Sequence, residues 1–108
     1  RLGNYADAIA DYKKAIELDP YDPDLHIALG STRLHLNEFE SAILCFDTAL
    51  IIKPDNSYAY INRGVAKRYL ELYDEALDDL NKAVYYDFFN IEAIVRRGIL
   101  YMKKKNQI

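Results

Sequence analysis

The sequence repeats itself every 34 residues, and this period constrains the fold more than any other feature. Four sets of residues recur in phase, two of alanines, one of aromatics and one of glycines: Ala8, Ala42 and Ala76; Ala15, Ala49 and Ala83; Tyr5, Phe39 and Tyr73; Gly30, Gly64 and Gly98. A fixed period of this length is typical of stacked helical units, each of which buries its apolar face against its neighbours. The period therefore predicts an all-α array and argues against an enzyme built around one pocket.

Apolar residues spaced three and four apart predict helices, because this spacing gives a helix one buried stripe. The first predicted helix covers residues 6–18 and stops at Asp19-Pro20. Five further helices are predicted, at 23–36, 39–52, 58–70, 74–86 and 92–104. We expect about six helices joined by short connections, with no strand.

Residues that favour helix ends lie at the predicted boundaries. Residues that can accept hydrogen bonds from free amides precede the second, fourth and sixth helices: Asp22 before Pro23, Asn56 or Ser57, and Asn90. Gly3 and Asn37 lie one period apart, and both residue types tolerate the left-handed conformation that ends a helix. The sequence therefore predicts helix-turn-helix pairs that turn at these two residues.

The composition is that of a folded soluble domain, with 108 residues of which 51% are hydrophobic and 29% charged. No apolar stretch approaches the ~20 residues that span a bilayer, and the first residues lack the apolar core of a signal peptide. Cys45 is the single cysteine, which excludes an internal disulfide. We therefore expect a cytoplasmic, intracellular protein without membrane insertion. Because the sequence begins and ends within the repeating unit, we expect a piece of a longer array.

Charge is unevenly distributed along the chain, although the net charge is only −3. Residues 1–56 carry five Lys and Arg against ten Asp and Glu, whereas residues 57–108 carry nine against seven. The chain is therefore acidic in its first half and basic in its second.

Aligned on the period, the sequence resembles the tetratricopeptide repeat, whose helices supply Leu-Gly and aromatic residues at fixed positions, then Ala, an aromatic, Ala and Pro. Two consecutive units fill this pattern: His26, Leu29, Gly30, Ala42, Phe46, Ala49 and Pro54, then Tyr60, Gly64, Ala76, Leu80 and Ala83. The resemblance implies a single right-handed superhelix of antiparallel helix pairs. Residues 1–21 would be the second helix of a truncated repeat, 22–55 and 56–89 full repeats, and 90–108 the first helix of another truncated repeat.

Glycine and alanine in this pattern mark places where two helices cross closely, so Gly30→Leu is predicted to overpack the array. Six positions depart from the pattern: Arg63 and Arg97 replace Leu, Arg33 and Lys67 replace an aromatic, Glu71 replaces the turn Gly, and Phe88 replaces Pro. The last two departures leave open whether the turn at Glu71 and the bend at Phe88 keep a regular geometry.

No arrangement of residues indicates catalysis, a metal or a cofactor. His26 and His35 are nine residues apart, on opposite sides of one predicted helix, so they cannot share a metal ion. Cys45 has no basic neighbour in sequence to activate it, which favours a half-buried structural thiol. Acidic residues at helical spacing in the fifth helix are predicted to form a solvated face: Glu71, Asp74, Glu75, Asp78 and Asp79.

The resemblance implies a concave surface built mainly by the first helix of each pair, which would hold a peptide of a protein partner. The predicted groove residues are Ile27, Ser31, Tyr58, Ile61, Asn62, Val65, Arg68, Tyr69, Val95, Arg96, Ile99 and Lys103. Apolar side chains of the peptide would contact the aliphatic residues, Asn62 would bind its backbone, and the cations would bind its acidic groups. An equally open interpretation is that neighbouring repeats of a longer superhelix cover the apolar residues of this set.

Four other functions remain as alternatives. Apolar residues of the last helix could support self-association through the terminal helices, or the chain could be a spacer in a longer superhelix. Cations near tyrosines could bind single-stranded nucleic acid, but the pI near 5.3 disfavours this. The clamp of tetratricopeptide co-chaperones for chaperone C-terminal peptides is disfavoured too. Asn62 and Arg96 match it, whereas Ile27, Ser31 and Glu92 depart, and Glu92 would repel a carboxylate.

Overall fold

A computed structural model describes residues 2–105 of the chain as six helices. They are α1 (Leu2–Leu18), α2 (Pro23–His35), α3 (Phe39–Ile52), α4 (Ser57–Tyr69), α5 (Tyr73–Tyr86) and α6 (Ile91–Lys105). Each helix packs against the next one along the chain, and α2 also contacts α4. The described residues contain no strand, so the predicted all-α array of about six helices is confirmed.

Polar side chains cap three helices, as the sequence predicts. Asp22 Oδ1 accepts a hydrogen bond from the backbone N–H of Asp24 at 2.9 Å, and α2 begins at Pro23. The side-chain oxygens of Asn56 and Asn90 each accept one from a backbone N–H three residues further on, at 3.1 Å. Of the two candidates before α4, Asn56 is therefore the cap.

The turns within the two full helix pairs have the same geometry. Asn37 and Glu71 adopt φ angles of 60° and 62°. In both turns the next residue donates its backbone N–H to a carbonyl five residues earlier at 2.9 Å, from Glu38 to Arg33 and from Leu72 to Lys67. The turn at Glu71 is thus regular although a glycine is absent. The left-handed conformation costs such a residue about 1–2 kcal/mol.

Gly3 does not form the predicted turn. It lies inside α1, which begins at Leu2 and not at residue 6, and no described glycine has a positive φ. Gly3 thus lies in the first turn of α1 and ends no described helix. The bend at Phe88 is regular, because Asn90 donates to the Asp87 carbonyl at 3.2 Å as Asn56 does to that of Lys53.

Small residues set the helix crossings, as expected at two of the three periodic glycines. A Cβ atom on Gly30 would lie 2.6 Å from Cε1 of Phe46, and one on Gly64 would lie 3.3 Å from the carbonyl oxygen of Ala76. A Cβ on Gly98 would have no atom within 4 Å. Close crossing therefore explains Gly30 and Gly64, whereas no described helix covers Gly98.

Candidate functional site

Residues of α2, α4 and α6 line one continuous recess of the array. A pocket of about 40 Å³ lies between α4, α5 and α6, and is lined by Gly64, Val65, Arg68, Leu80, Arg96 and Ile99. A second, open pocket of about 310 Å³ reaches from α2 to α6, and is lined by Leu34, His35, Asn37, Val65, Tyr69 and Arg96. Val65 and Arg96 belong to both, so the two pockets form one groove across α4, called the central groove below.

Two arginines bring positive charge to the central groove. The guanidinium carbon of Arg68 lies 4.7 Å from the ring centroid of Tyr69, and this ring stacks on Phe39 at 5.0 Å. Arg96 Nε donates a hydrogen bond to the carboxylate of Glu92 at 3.0 Å, one turn earlier in α6. The Arg68 charge is thus oriented by an aromatic ring, whereas that of Arg96 is partly neutralised within its own helix.

The amide of Asn62 links α4 to α2. Its Nδ2 donates to Oγ of Ser31 at 3.5 Å, which is long for a hydrogen bond and therefore weak. Both side chains are half-buried. An amide at this place can exchange its long bond for a shorter one to a peptide backbone, since it both donates and accepts.

The predicted groove residues have different surroundings in the structure. The structure brings Val65, Arg68, Tyr69, Arg96 and Ile99 into the central groove, with Ser31 and Asn62 in contact with each other. Tyr58, Val95 and Lys103 are exposed and line neither pocket, and Ile27 is half-buried against the core.

The sequence-based assignment of Ile61 to the groove was wrong. Its side chain is only 1% exposed and belongs to the core. Its counterparts one period away on either side differ, since Ile27 is half-buried and Val95 is 53% exposed. Ile61 lies in α4, which has helices on both sides, whereas α6 has a described neighbour on one side only. Burial at this position of the repeat therefore depends on the neighbouring helices.

A partly buried ion-pair network lies on another face of α4, and sequence reasoning missed it. The guanidinium of Arg63 donates two hydrogen bonds to the carboxylate of Asp79, at 2.9 and 2.7 Å, and one to that of Asp47 at 2.8 Å. Lys67 Nζ lies 3.2 Å from the same Asp79 carboxylate. Asp79 is 3% exposed, so its assignment to a solvated acidic face was wrong.

These carboxylates raise the pKa of Arg63 although the side chain is half-buried. Burial by itself would lower the pKa of Arg63, but the hydrogen bonds to Asp79 and Asp47 outweigh it and raise that pKa. One signal was available in the sequence, because Asp47, Arg63 and Asp79 are spaced by 16 residues and Arg63 replaces an apolar residue of the repeat. The spacing alone does not show that the three side chains are in contact, because this depends on which helices pack against α4.

The remaining polar candidates have structural surroundings. His26 Nε2 lies 3.0 Å from the Pro20 carbonyl oxygen, and His35 Nδ1 lies 2.8 Å from that of Ser31. Burial raises the pKa of the half-buried Cys45 thiol, and the nearby charge of Arg33 opposes this only in part. Residues 2–105 hold no group of three His, Cys, Asp or Glu side chains suited to a metal ion. None of their helices is long and apolar enough to cross a bilayer.

Comparison with known proteins identifies the family of this chain. A family profile described as tetratricopeptide repeat matches residues 1–63, and a second of the same description matches residues 57–90. The chain belongs to the tetratricopeptide repeat family. The array is therefore a tetratricopeptide solenoid, as the resemblance of the sequence implied.

Two curated relatives match most of this chain over a small part of their own length. The chain is 37% identical over 84 residues to Hsc70-interacting protein 1 of Drosophila melanogaster, covering 78% of this chain and 22% of that protein. It is 31% identical over 93 residues to RNA polymerase II-associated protein 3 of Mus musculus, covering 86% and 14%. The chain thus spans less than a quarter of the length of these curated relatives.

One solved structure of the family contains a bound peptide. The first TPR of Spaghetti (RPAP3), bound to the HSP90 peptide SRMEEVD, superimposes with a TM-score of 0.91 at 27% identity. The match covers 96% of this chain and 82% of that one. That domain holds a short acidic peptide.

Proposed function

We propose that this chain is a non-catalytic protein-interaction scaffold that holds an extended peptide segment of a partner in the central groove. The observation that carries the proposal is the pocket between α4 and α6, where aliphatic Val65 and Ile99 lie beside Arg68 and Arg96. A pocket of about 40 Å³ suits one small aliphatic side chain, and a guanidinium forks onto a carboxylate. The proposed segment therefore carries an aliphatic residue next to acidic residues.

The peptide backbone would be bound at the junction of α2 and α4. Asn62 is half-buried there and its bond to Ser31 is long, so a peptide carbonyl or N–H can replace that bond at little cost. Main-chain contacts of this kind give affinity without depending on the peptide sequence, whereas the aliphatic pocket and the arginines give selectivity.

The peptide complex of the Spaghetti domain supports an acidic peptide as the ligand class. Three residues nevertheless favour an internal segment over a terminal carboxylate. Ile27 and Ser31 lack a positive charge, and the Glu92 carboxylate already accepts a hydrogen bond from Arg96. A terminal carboxylate beside Glu92 would be repelled, whereas a side-chain carboxylate can reach Arg68.

A peptide-array screen on the 108-residue chain identifies the ligand, and fluorescence anisotropy then measures Kd for the best peptide. The double variant Asn62→Ala, Arg96→Ala is expected to weaken binding at least about tenfold, because a hydrogen bond to a charged group contributes about 1.5–3 kcal/mol. Lys53→Ala removes an exposed cation outside the groove and serves as the matched control. Absence of peptide binding, or equal loss in the control, would contradict the proposal.

The peptide SRMEEVD tests the preference for an internal segment. We expect the free-acid and the C-terminally amidated peptide to bind with similar Kd, since Glu92 disfavours a terminal carboxylate. Clear preference for the free acid would instead indicate a carboxylate clamp. Glu92→Gln removes the negative charge that disfavours a terminal carboxylate. This variant should therefore bind the free acid more tightly, relative to the amidated peptide, than the parent chain does.

Single-stranded nucleic acid is a weaker candidate, because the structure engages several of the cations that suggested it. Arg63 and Lys67 are ion-paired with Asp79, with side-chain exposures of 18% and 14%. Phosphate binding by such residues would require breaking buried pairs. A steep fall of oligonucleotide affinity with salt, absent for the peptide, would favour nucleic acid over the groove peptide.

A further inference from the structure

The two arginines of the central groove are held in different ways, one by an aromatic ring and the other by a carboxylate. The guanidinium carbon of Arg68 lies 4.7 Å from the ring centroid of Tyr69. Arg96 instead donates a hydrogen bond to Glu92 at 3.0 Å. Within residues 2–105, Arg68 forms no ion pair with a carboxylate. Arg68 is therefore the arginine whose charge is less compensated and more available to a ligand.

The ring of Tyr69 is itself fixed by a second ring. Phe39, the first residue of α3, stacks on Tyr69, the last residue of α4, with centroids 5.0 Å apart and planes inclined by 7°. Tyr69 is 56% exposed, so it needs such a contact to keep one rotamer. Phe39 is half-buried and lines neither pocket of the central groove. Phe39, Tyr69 and Arg68, called the stacked cluster below, thus connect the packing of α3 on α4 to a charge in the groove.

A guanidinium that packs over an aromatic ring keeps its hydrogen-bond donors available. Its flat face contacts the ring, whereas its N–H groups lie in the guanidinium plane and point outwards. Two of these N–H groups can donate to both oxygens of one carboxylate. Because such an arginine is oriented before binding, it loses less side-chain entropy when the carboxylate binds. Lysine is not equivalent at this place, since an ammonium group has no planar pair of donors.

The preceding repeat contains the same ring contact without an arginine. Tyr5 stacks on His35 at 5.9 Å, one period before the ring contact of the stacked cluster. The residue that corresponds to Arg68 in this repeat is Leu34. The ring contact therefore belongs to the packing of the array, and Arg68 is the residue that connects one such contact to ligand charge.

Aliphatic side chains lie next to this arginine. Arg68 lines the pocket of about 40 Å³ together with Val65 and Ile99. A carboxylate on Arg68 and an aliphatic side chain in this pocket therefore belong to neighbouring residues of one peptide. Given that the groove binds a peptide as proposed above, we infer that Arg68 selects side-chain carboxylates over their amides, because the stacked cluster holds its guanidinium in place. Phe39 is then a positioning residue, which acts through Tyr69 without contacting the peptide.

Fluorescence anisotropy with two C-terminally amidated peptides tests this selectivity. SRMEEVD carries three side-chain carboxylates, and SRMQQVN carries the corresponding amides. The Kd of SRMQQVN divided by the Kd of SRMEEVD, called the selectivity ratio below, measures the preference for carboxylates separately from the contacts that both peptides make. For the parent chain this ratio should be at least about ten, since a hydrogen bond to a charged group is stronger than one between neutral groups.

Substitutions in the stacked cluster should lower the selectivity ratio. Arg68→Lys keeps the charge but removes the planar donors, and should lower the ratio about threefold. Phe39→Leu leaves every residue of the groove in place and should also lower it about threefold, the size expected of a cation–π contact at an exposed site. Phe39→Tyr keeps an aromatic ring and should keep the ratio. Tyr5→Leu is the matched control, because it removes the equivalent ring at His35 and should leave the ratio unchanged.

Circular dichroism should show all four variants to be folded. An unchanged selectivity ratio in Arg68→Lys overturns the inference, and so does an equal fall of the ratio in Tyr5→Leu and Phe39→Leu, which would indicate a general loss of packing. A parent chain that binds both peptides with equal Kd also overturns it, while the proposed peptide groove then stands. Absence of binding of both peptides contradicts the proposed function and rejects the inference with it.

Discussion

The two complete helix pairs, α2–α3 and α4–α5, share a backbone but differ in what they bury. Leu29 and Cys45 lie in the first pair where Arg63 and Asp79 lie in the second, one period later. The first pair is apolar at this crossing, whereas the second contains an arginine bound to two carboxylates. The same turn geometry follows both. The small residues at the crossing therefore fix the packing of the helices, and the positions beside it accept either chemistry.

The difference extends to a third position. Lys67 in the second pair has the Asp79 carboxylate at 3.2 Å, whereas its counterpart Arg33 in the first pair has a buried Nε without a hydrogen-bond partner in the described residues. A buried polar atom that lacks a partner is destabilising. The helix pair α4–α5 thus satisfies the hydrogen bonds of its buried polar groups more completely than the helix pair α2–α3 does.

The largest effect is expected from Asp79→Ala, which leaves Arg63 and Lys67 without their shared carboxylate. Loss of one partner of a buried ion pair costs up to about 3–5 kcal/mol. We expect a loss of about 3 kcal/mol, because Arg63 keeps Asp47 at 2.8 Å and Lys67 keeps Glu75 at 3.6 Å. Chemical denaturation measures the loss. The equivalent change Cys45→Ala should cost no more than about 1 kcal/mol, since it removes one small half-buried group. Similar losses at the two positions would erase the distinction between the two pairs.

A smaller effect is expected at the helix crossings. Gly30→Ala brings a Cβ within 2.6 Å of the fully buried Phe46 ring, and overpacking of this kind costs about 1–3 kcal/mol. Gly64→Ala meets its nearest atom at 3.3 Å and should cost less. Gly98→Ala meets no atom and should stabilise the chain by up to about 1 kcal/mol through helix propensity. Thermal denaturation of the three variants ranks them, and a reversed order would show that the crossings do not set the packing.

Substitutions in the two turns should change the free energy of unfolding by less than those at the helix crossings. Glu71→Gly removes a side chain from a residue with φ of 62° and should raise the free energy of unfolding by up to about 1 kcal/mol. Asn37→Gly, at φ of 60°, should change it little, because asparagine already tolerates this conformation. Denaturant midpoints measured side by side give the two changes. Destabilisation by Glu71→Gly would mean that the Glu71 side chain contributes more than its backbone strain costs.

The smallest net effect is expected from replacing the interior of the second pair by that of the first. The double variant Arg63→Leu, Asp79→Cys should remain within about 1 kcal/mol of the parent, because apolar replacement of both partners of a buried ion pair is often neutral or stabilising. The two charges that remain are compensated, since the Asp47 side chain is 42% exposed and Lys67 keeps Glu75 at 3.6 Å. The same denaturation experiment measures it, alongside Asp79→Ala. A loss as large as that of Asp79→Ala would show that the second pair depends on its charges and is not interchangeable with the first.

The sequence predicted the fold because the features that determine it recur with the period. Local or periodic signals with a role in the structure are the buried alanines of α3 and α5, the glycines at 30 and 64, and the caps at Asp22, Asn56 and Asn90. The start of α1 was wrong because Gly3 has the residue type of a helix end but no described helix before it. Residue type alone does not indicate whether such a signal is used.

The candidate site was predicted less completely, because burial in an array depends on which helices lie on either side. Ile27, Ile61 and Val95 are equivalent in sequence and differ widely in exposure. Asp79 lies in a run of acidic residues but faces Arg63 across the helix crossing. Both assignments required the contacts of α4 with its two neighbours, and the 34-residue pattern does not contain them.

Arg63 lies in α4 and binds one carboxylate from α3 and another from α5. A single side chain thereby joins two consecutive repeats, beyond the ordinary contact between their apolar faces. Repeat proteins unfold according to the balance between the stability of each unit and the coupling between neighbours. Strong coupling at Arg63 increases the number of helices that unfold as one cooperative unit. The backbone amides of α3, α4 and α5 should therefore exchange their hydrogens together.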